Sequence, residues 1–289
     1  MALRPPALRR TWLFTGGSDR DRQLAAGQSG ADVIILELED FTRPAHRPAA
    51  RALAAELFAA WRKAGAVAAV RVNPLSGDGV DDLTAILPAG PDVVMLPKVD
   101  GPTRIQDLAK VMDRIVGDKA RQMEIVPNVE LARGLMQTYD IARSDPRVTA
   151  CLVASEDMAA DLGAERGRDG QELLYVRQRF HLECRAAGVV SIDCPYTYTD
   201  LEGLEAETRH AKRLGYTAKS LVRPDHAQVI NGIFMPDAQA IAQAQRIVDA
   251  FNAADSAHVE LDGVMLELPM ISNAQRLLAR AKAYQDWQA

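Results

Sequence analysis

The chain has 289 residues, of which 48% are hydrophobic and 25% charged, with a formal net charge of −5 and an isoelectric point near 5.6. This is the balance of an ordinary globular protein, and its acidity gives no electrostatic reason to expect nucleic-acid binding. No apolar run approaches the roughly 18 residues of a membrane span, and the amino terminus lacks the apolar core of a signal peptide. Three scattered cysteines exclude a disulfide framework, so we predict a reduced, cytoplasmic protein.

Eight short apolar segments alternate with stretches of helical periodicity. The segments occupy residues 11–16, 33–39, 67–73, 93–98, 123–130, 148–156, 189–196 and 218–224. Continuous apolar strands separated by amphipathic helices indicate a parallel sheet covered by helices, and eight repeats favour a closed barrel. We therefore predict a TIM (β/α)₈ barrel at residues 1–235. A C-terminal helical extension, residues 236–289, is expected to pack on the barrel or on a neighbouring subunit.

Three arginines lie near the amino terminus, at positions 4, 9 and 10. They are interspersed with prolines and precede the first predicted strand. We interpret Arg4, Arg9 and Arg10 as a solvated amino-terminal arm.

Charged and amide side chains lie at the carboxyl ends of several of the predicted strands. They are Glu37, Glu39 and Asp40 at the end of the second strand, Arg71 and Asn73 at the end of the third, Lys98 at the end of the fourth, Glu130 at the end of the fifth, Glu156 and Asp157 at the end of the sixth, and Arg223 and Asp225 at the end of the eighth. Charges at the ends of apolar strands are costly unless they are paired or bound to a metal. Because barrel enzymes gather their chemistry at the carboxyl ends of the strands, this pattern predicts one shared site.

Carboxylates outnumber cations in this set, and no histidine accompanies them. Ligands that are all oxygen suit a hard cation such as Mg²⁺ rather than zinc. Mg²⁺ commonly takes one or two protein carboxylates, and we assign Glu130 and Asp157 to that task. Arg71 would then bind a substrate carboxylate, which its planar fork of donors suits.

Each of these residues also has a purely structural interpretation that the sequence leaves open. Glu130 could be an acid that stabilises a helix amino terminus, and Asp157 could be a helix N-cap. Arg71 could form a structural ion pair with Glu39. Lys98 could extend its ammonium into solvent along an apolar stem.

Several motifs of this chain occur together and in the same order in one known family. They are LFTGGSDRDR, GADVIILELEDFTRPAHRPAAR, RVNPLSGDGVDDL, DVVMLPKVD, VPNVELARGL, ASEDMAADLG and the tail LDGVMLELPM. The chain thereby resembles the citrate lyase beta-subunit family of the HpcH/HpaI aldolase superfamily. The resemblance implies a Mg²⁺-dependent TIM-barrel enzyme acting on a carbon–carbon bond next to a thioester. It also implies that Glu130 and Asp157 bind the metal and that Arg71 binds the substrate.

The chain departs from that family at three places. The tail reads MLELP where the family has a catalytic aspartate in MIDxP or MVDxP, so Glu267 takes its position. Arg223 stands where the family has the histidine of IHPxQ, and LELED replaces LDLED in the second strand. These changes indicate a different substrate rather than an inactive site. The resulting candidates are Arg71, Glu267, Glu39 and Asp40 for catalysis, and Arg71, Glu130, Lys98 and Arg223 for substrate binding.

The favoured function is a Mg²⁺-dependent lyase that cleaves or forms a short β-hydroxyacyl thioester through a metal-stabilised enolate. The substrate would be similar to citryl-, malyl- or citramalyl-CoA. A Mg²⁺-dependent aldolase on a free 2-oxo acid, with Arg223 on a second carboxylate, and an acyl-CoA thioester hydrolase stay open. A non-catalytic barrel is the fourth hypothesis, and the retained metal and arginine positions count against it. The resemblance further implies a homo-oligomer, a trimer or hexamer, while charge and composition predict neither nucleic-acid nor membrane partners.

Overall fold

The computed structural model describes residues 2–254 and 259–288. Eight parallel strands close into a barrel in which each strand is hydrogen-bonded to the next and the last returns to the first. The strands are β1 (Thr11–Gly16), β2 (Val33–Glu37), β3 (Val67–Arg71), β4 (Val93–Leu96), β5 (Glu124–Val129), β6 (Ala150–Val153), β7 (Val190–Asp193) and β8 (Ala218–Leu221). The predicted (β/α)₈ barrel is confirmed.

Helices connect the strands around the outside of the barrel. Along this part of the chain they are α1 (Arg20–Ala25), α2 (Arg47–Ala52), α3 (Ala54–Lys63), α4 (Gly79–Ile86), α5 (Pro102–Val116), α6 (Ala132–Leu135), α7 (Thr138–Ala142), α8 (Glu156–Leu162), α9 (Leu174–Ala187), α10 (Leu201–Leu214) and α11 (His226–Phe234). Among the described residues, no helix has both the length and the apolar character needed to cross a membrane.

The barrel interior is filled by apolar side chains from alternate strand positions. They include Trp12, Phe14, Val33, Ile35, Val67, Ala69, Val93, Met95, Val126, Ala150, Leu152, Ile192 and Ala218. Because side chains alternate with a period of two, the residues two positions beyond Ile35 and Ala69 also point inward. These are Glu37 and Arg71, which pair in register at the carboxyl ends of β2 and β3. Strand periodicity thus directs charged groups into the open end of an apolar barrel.

Seven of the eight strands, all except β1, are shorter at their carboxyl ends than the sequence predicted. β2 ends at Glu37, so Glu39 and Asp40 belong to the loop that follows it. β6 ends at Val153, and Asp157 lies in the first turn of α8. Apart from Arg71, the last residue of β3, the functional candidates of the barrel therefore sit on loops and a helix start just above it, where side-chain direction is free of strand alternation.

The amino-terminal arginines do not form the solvated arm that the sequence predicted. Arg9 is 1% exposed, and its two terminal nitrogens each donate at 2.7 Å to an oxygen of Glu124 at the start of β5. Arg10 donates through Nε to Asp32 at 2.9 Å. The prediction was wrong because Glu124 is 115 residues away in the chain, and only closure of the barrel brings it to Arg9.

A buried ion network ties β7 and β8 to α9. The Arg177 guanidinium donates to both oxygens of Asp193 at 2.9 and 2.8 Å, and Lys219 Nζ donates to Asp193 at 2.8 Å. Burial alone would raise the pKa of Asp193, but the charges of Arg177 and Lys219 outweigh it and hold that pKa at about 2. The network therefore keeps a full negative charge inside the helix layer.

Lys219→Met is expected to lower the free energy of unfolding by about 3 kcal/mol, because removing one partner leaves a buried carboxylate with less compensation. Urea denaturation measures the change. Lys110, whose exposed ammonium pairs with Asp107 at 2.9 Å, supplies the control. Lys110→Met should cost less than about 0.5 kcal/mol. Equal losses in the two variants would show that the buried network contributes no more than a surface pair.

The chain divides into two compact units, Met1–Gly232 and Ile233–Ala289. The second contains α12 (Ala238–Ala253), an antiparallel hairpin of β9 (Val259–Leu261) and β10 (Val264–Leu266), and α13 (Leu268–Gln288). The hairpin lies between the two helices of the extension, and Asp262 and Gly263 form its turn with φ of 50° and 75°. Residues 255–258 and 289 of the predicted extension lie outside the described residues. Its packing on the barrel or on a neighbouring subunit stays a prediction.

Candidate active site

A cavity of about 310 Å³ opens at the carboxyl end of the barrel. Its lining comes from strands β1, β3, β6 and β8, from the loops after β2, β6, β7 and β8, and from the first turn of α8. The lining residues are Phe14, Asp40, Phe41, Arg71, Leu152, Ala154, Ser155, Glu156, Asp157, Pro195, Thr197, Ser220 and Val222. Three of the predicted site residues, Asp40, Arg71 and Asp157, thus share one apolar-walled cavity.

Glu130 lies at the end of β5 with a fully buried carboxylate. Its Oε1 accepts a hydrogen bond from the backbone N–H of Lys98 at 2.5 Å, while its Oε2 has no hydrogen-bond partner among the described residues. Burial raises the pKa of Glu130 to about 8; the charge of Arg71 opposes this, and the charge of Asp157 adds to it. A buried carboxylate with one unused oxygen is a costly group that a cation would stabilise.

Glu130 should make the metal-free protein less stable as the pH rises. Its pKa of about 8 in the folded protein lies above the ordinary value of 4.5, so the folded state holds a proton that the unfolded state has lost between these values. The free energy of unfolding must then fall between pH 4.5 and about 8 by up to about 1.4 kcal/mol per pH unit. Thermal unfolding of wild type and Glu130→Gln in EDTA, from pH 5 to 9, measures the difference. The same dependence of thermal stability on pH in the two proteins would contradict the raised pKa of Glu130.

Arg71 is held by carboxylates from the end of β2 and the loop after it. Its Nε donates to Glu37 at 2.9 Å, one terminal nitrogen lies 3.3 Å from Glu39, and the other lies 3.7 Å from Asp40. Burial alone would lower the pKa of Arg71, but the charges of Glu37 and Glu39 raise it above its ordinary value. The structural ion pair with Glu39 that the sequence left open is therefore present, but the shortest contact is with Glu37.

Lys98 does not simply extend into solvent. Its side chain is 37% exposed, and its ammonium donates to Glu39 and lies 3.7 Å from Asp40 and 4.0 Å from Asp157. Its backbone has φ of 52°, in the left-handed region that non-glycine residues rarely adopt. Such backbone strain concentrates at functional sites. The strained conformation aims the N–H at Glu130 and the ammonium at the other carboxylates.

Asp157 is not a helix N-cap, which corrects one of the open interpretations. Ser155 occupies the N-cap of α8, and Asp157 is the second residue of the helix. Its carboxylate is 33% exposed and lines the cavity. The Asp157 charge raises the pKa of Glu130, which places the two predicted metal ligands within electrostatic reach of each other.

Five of the predicted site residues are not among those that line the cavity: Glu39, Lys98 and Glu130, described above, and Arg223 and Glu267. Arg223 pairs with Asp225 at 2.8 Å and has a side chain that is 40% exposed. Glu267 is exposed between β10 and α13, and its carbonyl oxygen accepts the N–H of Met270 at 2.9 Å. Their roles in substrate binding and catalysis stay predictions.

Two buried polar residues were not assigned a role from the sequence. Glu37 is fully buried and binds Arg71. Asn128 lies two residues before Glu130 in β5, is fully buried, and neither its amide oxygen nor its amide nitrogen has a hydrogen-bond partner among the described residues. The signal that could have found both is strand alternation, which points them into the barrel from β2 and β5.

Comparison with known proteins is consistent with this geometry. Residues 10–224 match the model of the HpcH/HpaI aldolase/citrate lyase family. The chain belongs to this family. Citrate lyase subunit beta of Leuconostoc mesenteroides subsp. cremoris is 31% identical over 96% of this chain and 94% of its own. Mitochondrial citramalyl-CoA lyase of Mus musculus is 28% identical over 96% of this chain and 87% of its own. The predicted family membership is confirmed.

Solved structures of family members have the same fold. CitE from Mycobacterium tuberculosis, in complex with magnesium, acetoacetate and coenzyme A, matches with a TM-score of 0.77 and 27% identity, covering 94% of this chain and 98% of its own. A citrate lyase from Burkholderia xenovorans LB400 matches with a TM-score of 0.85, 98% coverage of this chain and 96% of its own. At 20% identity, the Burkholderia protein supports the fold alone.

Proposed function

We propose that this protein is a Mg²⁺-dependent carbon–carbon lyase that cleaves a short β-hydroxyacyl thioester into a 2-oxo acid and a shorter acyl thioester. The observation that carries the proposal is the buried carboxylate of Glu130, whose Oε2 is unpartnered among the described residues. It lies within electrostatic reach of Asp157 and of the Arg71 cation. Together these groups offer a hard-cation site next to a carboxylate-binding site.

The residues fit Mg²⁺ on chemical grounds. The two proposed ligands, Glu130 and Asp157, offer oxygen atoms only, which is the donor type Mg²⁺ prefers. A cation would offset the burial that raises the pKa of Glu130. When bound, Mg²⁺ supplies Lewis-acid polarisation of the substrate oxygen that becomes the 2-oxo group.

The other side chains bind, orient and move protons. Arg71 holds the carboxylate of the 2-oxo acid portion, and Lys98 adds positive potential beside it. Cleavage requires the substrate hydroxyl to lose a proton, and we assign its acceptance to Glu39. Burial raises the pKa of Glu39, although the charge of Arg71 opposes the shift, so this carboxylate can hold a proton closer to neutral pH. Asp40 lines the cavity, and Glu267 stays a candidate for protonating the enolate carbon by family resemblance.

Related proteins support the thioester and the metal. One relative is named citramalyl-CoA lyase, and CitE of Mycobacterium tuberculosis was solved with magnesium, acetoacetate and coenzyme A. Another solved structure from the same organism is a citrate lyase beta subunit with oxaloacetate, a 2-oxo acid, and magnesium, at 29% identity and a TM-score of 0.64, covering 79% of this chain and 99% of its own. We infer a coenzyme A thioester substrate for this chain. The homo-oligomer, a trimer or hexamer, and the cytoplasmic location stay predictions.

A cleavage assay on a small panel tests the proposal. The panel contains malyl-CoA, citramalyl-CoA, citryl-CoA and the matching free hydroxy acids, with 2-oxo acid and free thiol detected separately. We expect 2-oxo acid from at least one thioester in the presence of Mg²⁺ and none in EDTA. Activity on free acids alone would establish the aldolase instead, and thiol release without 2-oxo acid would establish the hydrolase.

A further inference from the structure

We propose that Glu37 is a positioning residue that fixes Arg71 and the loop after β2 in one geometry, so that the terminal nitrogens of Arg71 face the cavity. The inference rests on the proposed function, because it takes Arg71 to bind the carboxylate of a 2-oxo acid. Glu37 itself does not line the cavity.

Glu37 makes three hydrogen bonds with its two carboxylate oxygens. Oε1 accepts from Arg71 Nε at 2.9 Å and from the backbone N–H of Glu39 at 2.6 Å, and Oε2 accepts from the backbone N–H of Phe41 at 2.6 Å. The carboxylate is fully buried, so these bonds are not weakened by water. One side chain thus holds both the guanidinium and two amides of the loop.

The hydrogen bond to Nε determines which face of Arg71 is left for a ligand. With Nε bound to Glu37, the ligand would be bound by the two terminal nitrogens, which lie 3.3 Å from Glu39 and 3.7 Å from Asp40 and form the fork that suits a carboxylate. The Arg71 guanidinium carbon lies 4.9 Å from the ring centroid of Phe14 and 5.8 Å from that of Phe41. The two aromatic rings restrict the guanidinium further, and both line the cavity.

Contacts of Phe41 and Thr42 hold the loop after β2 in place. Phe41 packs edge-on against Phe14 with ring centroids 6.3 Å apart. A Cβ at Gly16 would lie 2.3 Å from the Cβ of Phe41, so only glycine permits this approach. Thr42 donates to the carbonyl of Glu37 and accepts the N–H of Gly17 at 2.7 Å. Glu37 is therefore central to a rigid support beneath Arg71.

The experiment compares Glu37→Gln, Glu37→Asp and wild type in binding pyruvate in the presence of Mg²⁺. We expect Glu37→Gln to raise the Kd for pyruvate by about tenfold or more, because glutamine lacks the negative charge and keeps only one of the two accepting oxygens. The affinity for Mn²⁺ alone should change by less than about threefold, since Glu130 and Asp157 are untouched. Glu37→Asp keeps the charge and should recover part of the pyruvate affinity.

Hydrogen exchange separates this inference from the proposed function. Exchange of at least one of the Glu39 and Phe41 amides should accelerate by about tenfold or more in Glu37→Gln, since glutamine replaces one of the two accepting oxygens by an NH₂ group. Glu124→Gln is the matched control, because Glu124 binds Arg9 at 2.7 Å on β5 at the opposite end of the barrel. It should leave pyruvate affinity and exchange at these two amides unchanged.

Pyruvate affinity and amide exchange together decide whether Glu37 positions Arg71. Wild-type pyruvate affinity and exchange in Glu37→Gln would overturn the positioning role, and so would equal losses in Glu124→Gln, which would show a global effect on stability. If wild type binds no 2-oxo acid, the proposed function fails. The exchange rates at Glu39 and Phe41 then decide alone, and unchanged rates overturn the role of Glu37.

Discussion

Asp157→Asn is expected to lower kcat of the Mg²⁺-dependent cleavage by about three orders of magnitude, because polarisation by the metal supplies several kcal/mol of transition-state stabilisation. Asparagine keeps the size of the side chain but removes the negative charge that attracts the cation. Mg²⁺ affinity should fall with kcat. Steady-state kinetics over a range of Mg²⁺ concentrations, with calorimetric titration of Mg²⁺, measure both quantities.

The adjacent carboxylate provides the control for Asp157. Glu156 begins the same helix and lines the same cavity, but it is 54% exposed and lies 3.3 Å from Arg166. Glu156→Gln should therefore keep the Mg²⁺ affinity within about threefold of wild type, as expected for a solvated ion pair. If both variants lost the metal equally, the site would depend on the net charge of the helix start and not on Asp157 as a ligand.

Arg71→Lys is expected to lower kcat/KM by about two to three orders of magnitude, although it keeps the positive charge. A lysine ammonium cannot bind Glu37 through one nitrogen and a substrate carboxylate through two others. The loss should appear mainly as a raised KM for the 2-oxo acid in the condensation direction, because that fragment carries the carboxylate. Initial rates with varied 2-oxo acid at saturating acyl thioester measure it.

Arg9→Lys is the matched control for Arg71, because Arg9 is also buried and paired with a strand carboxylate, Glu124. It should lower the thermal stability while leaving the KM for the 2-oxo acid within about twofold of wild type. Near-normal KM in Arg71→Lys would show that a point charge is sufficient there, and would remove the reason for a forked donor.

The ends of the apolar segments explain why much of the site could be predicted from the chain. The barrel followed from eight apolar segments between amphipathic helices, and Glu130, Arg71 and Asp157 followed from their places at the ends of such segments. These features are local: they depend on apolar runs along the chain and on the rule that chemistry gathers where parallel strands end together. The family motifs added the reaction class, which local patterns could not supply.

Contacts between distant segments were decided only by the tertiary structure. The sequence separates Arg9 from Glu124 by 115 residues and Glu37 from Arg71 by 34, and no local pattern specifies these pairs. The strained backbone of Lys98 was equally hidden, because φ of 52° reflects the surroundings and not the residue type.

The sequence by itself determined the barrel, the placement of the candidate metal carboxylates and the family, because each rests on the order and spacing of segments and motifs along the chain. The tertiary structure decided which carboxylate holds Arg71, how Lys98 meets Glu39 and Asp40, and which oxygen of Glu130 is left without a partner among the described residues. The physical reason is that pairing energies and burial depend on distances between different strands. Those distances are set by closure of the barrel, which no single segment encodes.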